Sequence, residues 1–389
     1  MKELKFSISD TPTDIIDVLR PFNKKRSADK QVLLQKVPWE HAKQELTAMA
    51  LYSQGVDVSQ VGGPFVDDLI AMRALRPFSN REIDSMGGPS AFSKVAWENA
   101  HRASEGHIFA VPWIVDPRAI FYWRDPLEKA GIDGSEAFKT FEQMEETFRR
   151  LQANGIKTPL SLPLENGLAN LQTACTWIWG AGGDIANDKE VLVLHPQSLK
   201  GLRDYFNLSQ YMFSNEQTVS KSVTHLDSFL KQKTVVTVGN LPIYHYLPPK
   251  IRSQIGVALA PGPFFVGGSN LVVWQSSREE DDAVNLVHYL TGEEAQKEYC
   301  ARIGFLPARM SVLNEPPFST DPELQVFVRS ANSGRSWANI RMGGLLEELL
   351  TNAIQSIWAK VLANPDTDSE AAIIDELEPI VSRINRWYG

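Results

Sequence analysis

At 389 residues the chain is long enough for two domains of ordinary size, and its 43% hydrophobic and 22% charged residues are those of a globular protein. A net charge of −8 argues against a nucleic-acid partner, because phosphate binding needs basic patches. Its apolar runs stay short of the roughly 20 residues of a membrane helix. The two cysteines, Cys175 and Cys300, lie outside any CxxC pair and imply neither a disulfide framework nor a zinc site.

Leu4 to Ser9 alternates apolar and polar residues and reads as a first strand. The preceding residues hold no apolar leader and no lipoprotein cysteine, so no export signal is expected in this sequence. Thr13 to Asn23 predicts a helix, Val32 to Val37 a second strand, and Pro38-Trp39-Glu40 leads into a helix ending near Tyr52. Val56 to Val61 predicts a third strand, closed by Gly62-Gly63-Pro64-Phe65, with a helix over Val66 to Leu75. Strands alternating with helices argue for a mostly parallel sheet covered by helices on both faces.

After a helical stretch from Pro89 to Ala103, Ile108 to Val115 reads as a buried strand. Asp116-Pro117-Arg118 is expected to break it before a second β-prone run, Ala119 to Trp123. Thr140-Phe-Glu-Gln143 predicts a capped helix running to Asn154-Gly155. A short strand follows at Pro159 to Leu162, then a helix over Leu168 to Trp179 that stops at Gly180. Pro196 to Leu230 reads as helix broken near Ser214, with strands at Thr234 to Val238 and Ile255 to Leu259. Gly267-Gly268-Ser269-Asn270 precedes a strand at Leu271 to Gln275. Ser277-Arg-Glu-Glu280 and Thr291-Gly-Glu-Glu294 predict two capping boxes. From Pro322 to Tyr388 the pattern is almost wholly helical, with a break at Pro365.

Catalytic signatures are missing from the sequence: it contains no GxSxG elbow, no Walker loop and no GxGxxG fingerprint. The seven histidines form no HExxH motif, and no metal or cofactor is implied. What recurs is an aromatic or polar residue at the end of a predicted element. Trp39 follows the second strand and Phe65 the third, and Trp113 and Asp116 mark the crossover strand. Trp177 and Trp179 end a helix, Tyr244 and Tyr246 follow the Gly239 turn, and Asn270 lies in a glycine-rich turn. Aromatic rings offer rigid apolar faces that fit the C–H face of a pyranose, while its hydroxyls need side-chain donors and acceptors. Trp97, Trp123, Trp358 and Trp387 lie inside regular elements and read as core.

Three segments carry a family resemblance: PWEHAKQELTAMALYSQGVDVSQVGGPFVDDLIAMRALRPFS (38–79), GHIFAVPWIVDPRAIFYWRDPLEKAGI (106–132) and LAPGPFFVGGSNLVVWQSSREEDDAVNLVHYLTGEEAQKEYCARIGFLPARMSVL (259–313). In one collinear order they resemble the extracellular solute-binding proteins of ABC sugar importers, the maltose-binding-protein-like group. The resemblance implies an α/β, two-lobe periplasmic-binding-protein-like fold of type II with a ligand cleft between lobes. The expected lobes are 1–114 with 262–318, and 115–261 with 319–389, the last being a mostly helical tail. By the same resemblance Trp39, Phe65, Trp113, Asp116, Gly268, Asn270 and Arg341 fall at or beside family ligand positions, and Trp177 and Trp179 beside a stacking position. Where the family has a GpW turn this chain reads Gly239-Asn240-Leu241, so Tyr244 or Tyr246 is expected to replace the missing tryptophan.

The resemblance further implies a sugar or oligosaccharide ligand, membrane permease partners, a periplasmic or extracellular location, a monomer, and no catalysis. Two alternatives stand beside it. One is a binding protein for another small polar solute, such as a polyol or glycerol phosphate, because fold does not fix ligand. The other is a glycoside-acting enzyme, which needs two carboxylates at a set separation, and the sequence shows no such pair.

Overall fold

The computed structural model describes residues 3–9, 12–27, 31–53, 56–100, 106–213, 224–336, 343–364 and 366–388. Among the described residues the strands are β1 (Leu4–Ile8), β2 (Val32–Lys36), β3 (Val58–Gly62), β4 (Ala110–Trp123), β5 (Leu160–Ser161), β6 (Val236–Asn240), β7 (Ile255–Ala258), β8 (Val266–Val273) and β9 (Leu306–Pro307). The chain divides into two compact units. The first comprises Met1–Asp116, Val266–Leu324 and a short return that includes Gly344, and the second Pro117–Phe265, Gln325–Ile340 and Leu345–Gly389.

In the first unit the strands run in the order β2-β1-β3-β8-β4. β1 is parallel to both β2 and β3, and β8 returns antiparallel to β3 with Val61 opposite Asn270. β1 and β3 are buried along almost their whole length, as expected of strands covered on both faces. One side of the core is filled by Val58-flanking residues Val56 and Val61 with Leu46, Val66, Leu69 and Trp274. A polar seam crosses the sheet, from Ser7 Oγ to Ser59 Oγ at 2.6 Å and from Trp274 Nε1 to Ser59 Oγ at 2.7 Å.

In the second unit β4 pairs antiparallel with both β6 and β7, and β5 is parallel to β6. Phe121 of β4 packs edge-on against Phe327, with ring centres 6.0 Å apart, and Tyr205, Phe206 and Trp358 form a second aromatic knot. The helical tail is present as helices Pro322–Ser333, Gly343–Ala363 and Ser369–Tyr388. Residues 337–342 and Pro365 lie outside the described residues.

Two expectations about local structure need correction. The turn at Asp116-Pro117-Arg118 does not form, and β4 is one strand of 14 residues. The reason lies in its partners. Ile114 and Val115 pair with β9, while from Arg118 onward the partner is β6, so the missing N–H of Pro117 falls where the ladder changes hands. The two later capping boxes do not form either. Ser277 Oγ instead bonds Asp57 Oδ1 at 2.6 Å, and Thr291 Oγ1 donates to Val287 O at 2.8 Å. The helices they were expected to cap begin at Glu280 and Glu293 without a side-chain cap.

Candidate functional site

In open α/β sheets ligands sit beyond the carboxyl ends of the parallel strands. Each unit presents such an edge. In the first unit it is formed by the residues after β2 and β3 and by the start of the antiparallel β8. Trp39 follows β2 in a single 3₁₀ turn and keeps 41% of its surface exposed. Gly62 ends β3. A Cβ placed on it would lie 3.6 Å from Trp39 Cζ3 and 3.6 Å from Phe65 Cδ2, so both rings border that glycine. Helix Gly63–Ala71 then starts, with Phe65 in its first turn and Asp68 three residues on, on the same face.

Gly344 closes this corner. A Cβ there would collide with Asp68 Oδ2 and would lie 3.6 Å from Phe65 Cδ1. Burial pushes the Asp68 carboxyl above the usual carboxylate range, against a weaker opposing pull from Lys43. Beside them, Gln60 donates to Ser269 Oγ at 2.9 Å and accepts from the Ser9 N–H at 2.9 Å. The Nδ2 of Asn270 is buried and has no hydrogen-bond partner. A buried amide donor left unpaired costs about 1–3 kcal/mol, which a ligand acceptor would recover.

In the second unit the corresponding edge holds Arg118 and Asn240, which face each other in the β4–β6 register. Arg118 also bonds the side chain of Gln172. Asn240 caps helix Leu241–Tyr246 by accepting from the Ile243 N–H at 3.3 Å. Past the end of β5, Glu165 Oε1 lies 2.5 Å from His225 Nδ1, and its Oε2 is buried without a hydrogen-bond partner. Asn166 next to it caps helix Gly167–Gly180.

Several expected site residues take other places. Trp113 is fully buried in the first unit, stacked on Tyr299 with ring centres 4.6 Å apart and edge-on to Phe6. It is core, because β4 is covered on both faces. Gly268 has φ +139°, and a Cβ on it would overlap Ile114 O, so it serves the close approach of backbones. Asp116 is half-buried at the end of the first unit's share of β4. Arg341 lies outside the described residues.

Trp177 and Trp179 sit at the end of helix Gly167–Gly180 and are both buried. That helix begins past the carboxyl end of β5, so its last turn is about 20 Å away along the axis. Residues two apart on a helix face different ways. Trp177 packs on Phe141 and Tyr205, while Trp179 stacks on Phe265 and bonds Asp184 Oδ1 through Nε1 at 3.0 Å. The Arg335 guanidinium lies 5.0 Å from the Trp179 ring centre and pairs with Asp184. Tyr244 is buried against Phe121 and Phe327 and does not supply an open ring.

Residues 18–326 match one protein family, the bacterial extracellular solute-binding proteins. The chain belongs to this family. A binding protein of Brucella abortus is 21% identical over 345 residues, which are 83% of this chain and 79% of its own. Among solved structures, the sugar-binding protein MalE of Xanthomonas citri superposes with a TM-score of 0.84 at 20% identity, covering 99% of this chain and 98% of its own. UgpB of Mycobacterium tuberculosis, determined in complex with glycerophosphocholine, gives a TM-score of 0.81 at 14% identity, covering 100% of both chains. At these identities the structural likenesses establish the fold, which is that of the two-lobed α/β solute-binding proteins. Of the residues expected at the site, the first unit's edge gathers Trp39, Phe65 and Asn270. Sequence reading missed Asp68, Glu165 and His225. The Asp67-Asp68 pair looks like a solvated helix face, and nothing in the sequence places Glu165 beside His225.

Proposed function

We propose that this protein is the substrate-binding component of an ABC importer. It takes a sugar, oligosaccharide or similar polyhydroxylated solute and hands it to a membrane permease without chemical change. The observation that carries this reading is the corner at Gly62. There the partly exposed Trp39 ring and Phe65 border Gly62 beyond the carboxyl ends of β2 and β3, with the unpaired Asn270 amide nearby. An open indole face suits the C–H face of a sugar ring, and the amide suits a hydroxyl or ring oxygen.

In the second unit, Arg118, Asn240 and the Glu165–His225 pair offer donors and an acceptor of the same kind. Closure of the two units about their connecting segments on binding would carry the transport signal. We place the working protein outside the cytoplasmic membrane, as a monomer, in keeping with the family. Asp116 and Arg341 remain proposed polar anchors, with Asp116 as acceptor and Arg341 as donor.

A thermal-shift screen over mono- and oligosaccharides and polyols tests the reading. A solute that binds only the folded state raises the unfolding midpoint, by about 2.7 kcal/mol of stability at a hundred times its dissociation constant. Trp39→Ala should remove most of that shift while changing the unliganded midpoint less than the loss of a fully buried tryptophan would, since Trp39 keeps 41% of its surface exposed. A screen without any stabilising solute, or a Trp39→Ala variant that binds as tightly as wild type, would overturn it.

A further inference from the structure

We infer that the first unit's edge is shaped for a solute that carries a protonated amine, an amino sugar or a polyhydroxylated amine, rather than for a wholly neutral sugar. This inference rests on the solute-binding function proposed above and narrows its ligand class. It stands on the placement of three side chains. Trp39 offers an indole ring with 41% of its surface open. Phe65 borders the same glycine, Gly62. Asp68 lies one helical turn beyond Phe65 on the same face, and Gly344 brings carboxylate and Phe65 ring to a common wall. Phe65 thus lines the Trp39 corner with its Cδ2 edge and the Asp68 corner with its Cδ1 edge, and an alkylammonium group held along that wall would meet aromatic surface and a carboxylate. The rings attract the cation through their quadrupoles, and the carboxylate supplies the opposite charge.

The state of Asp68 strengthens the case. It is half-buried, and burial disfavours its charged form. Among the described residues no side-chain hydrogen bond or ion pair within 4.0 Å satisfies it, and Lys43 acts on it only through space. A carboxylate kept partly desolvated beside open aromatic surface gains from a ligand that brings its own positive charge. Neutral hydroxyls would leave that charge uncompensated. The remaining polar groups of the edge, Gln60, Ser269 and Asn270, are uncharged and suit the hydroxyls of such a ligand.

The test uses isosteric pairs: glucose against glucosamine, and cellobiose against the disaccharide of two glucosamine units, with wild type and Asp68→Asn. Thermal shift and calorimetry at neutral pH should show the amines binding more tightly than their neutral partners by about tenfold or more. Asp68→Asn keeps the shape of the side chain and should erase that preference, each amine then binding no more tightly than its neutral partner. The amine affinity should also weaken as ionic strength rises, whereas a hydrogen bond to a neutral hydroxyl would not respond in that way. Neutral sugars binding as well as or better than the amines would overturn this inference and leave the importer reading standing. So would an amine preference that survives in Asp68→Asn, or the lack of a shift with every amine. Failure of all neutral and charged compounds alike would count against both readings.

Discussion

Asp68 shows how one side chain's setting determines its chemistry. Burial raises its folded-state pKa above the ordinary carboxylate value, so between those two values the native chain binds more protons than the unfolded one. Stability contributed by the protonated group is therefore present at low pH and is lost as pH rises through the raised folded pKa. The opposite sign holds for a carboxylate held low by a partner. Asp68→Asn removes this dependence. The variant should be more heat-stable than wild type at neutral pH, and the gap should shrink as pH falls into the carboxylate range. Unfolding midpoints of both proteins measured from acid to neutral pH would check this, and a constant gap across the range would refute it. At this scale the legible residues were those that follow strands. Trp39 and Phe65 lie where β2 and β3 stop, so their positions follow from the strands themselves, whereas Asn270, expected in a turn ahead of a strand, lies inside β8. Asp68 was not legible, because its burial comes from Gly344, some 270 residues away in the sequence.

At the level of elements, helix Gly167–Gly180 carries the main lesson. Its apolar length and glycine stop were readable, and its extent matches the expected span to within a residue at each end. Its direction relative to the sheet was the missing fact. A helix that leaves the carboxyl end of a strand runs back toward the opposite end, so two tryptophans in its last turn are carried away from the edge where ligands bind. Their rings instead pack on Phe141, Tyr205 and Phe265. Trp177→Ala should thus destabilise the protein by about 3–5 kcal/mol, the usual loss for a buried aromatic. Its effect on solute affinity should stay small wherever the protein remains folded. Chemical denaturation paired with titration of a solute found in the screen would separate the two. A tenfold loss of affinity without loss of stability would return Trp177 to the ligand. The same distinction explains the capping residues. Thr140 caps its helix as its spacing indicates, accepting from the Gln143 N–H at 3.2 Å. Ser277 and Thr291 were drawn off by Asp57 and by a preceding carbonyl, partners that only the folded chain supplies.

For the whole molecule, the alternation of strands and helices followed by a helical tail indicated the fold class, and family membership agrees with it. The return of 266–324 to the first unit follows from the pairing of β8 with β3, a non-local contact that no local pattern encodes. Each unit has its own core, so each can keep its internal structure while their relation changes. The chain passes from one unit to the other at Asp116–Pro117, Phe265–Val266 and Leu324–Gln325, and again around Gly344. A solute that binds one relation of the units more tightly than another would favour that relation. It can shift that equilibrium only by its difference in affinity for the two states. A shift from mostly open to mostly closed, 1:99 to 99:1, needs about 5.5 kcal/mol of such difference. Small-angle scattering on the protein with and without a saturating solute should then show the radius of gyration falling on binding. Trp39→Ala should raise the solute concentration needed, and at true saturation the same contraction should be reached, because the connecting segments are untouched. Binding without contraction would remove closure from the mechanism while leaving the binding function intact, and release of a chemically altered solute after long incubation would turn the protein into an enzyme.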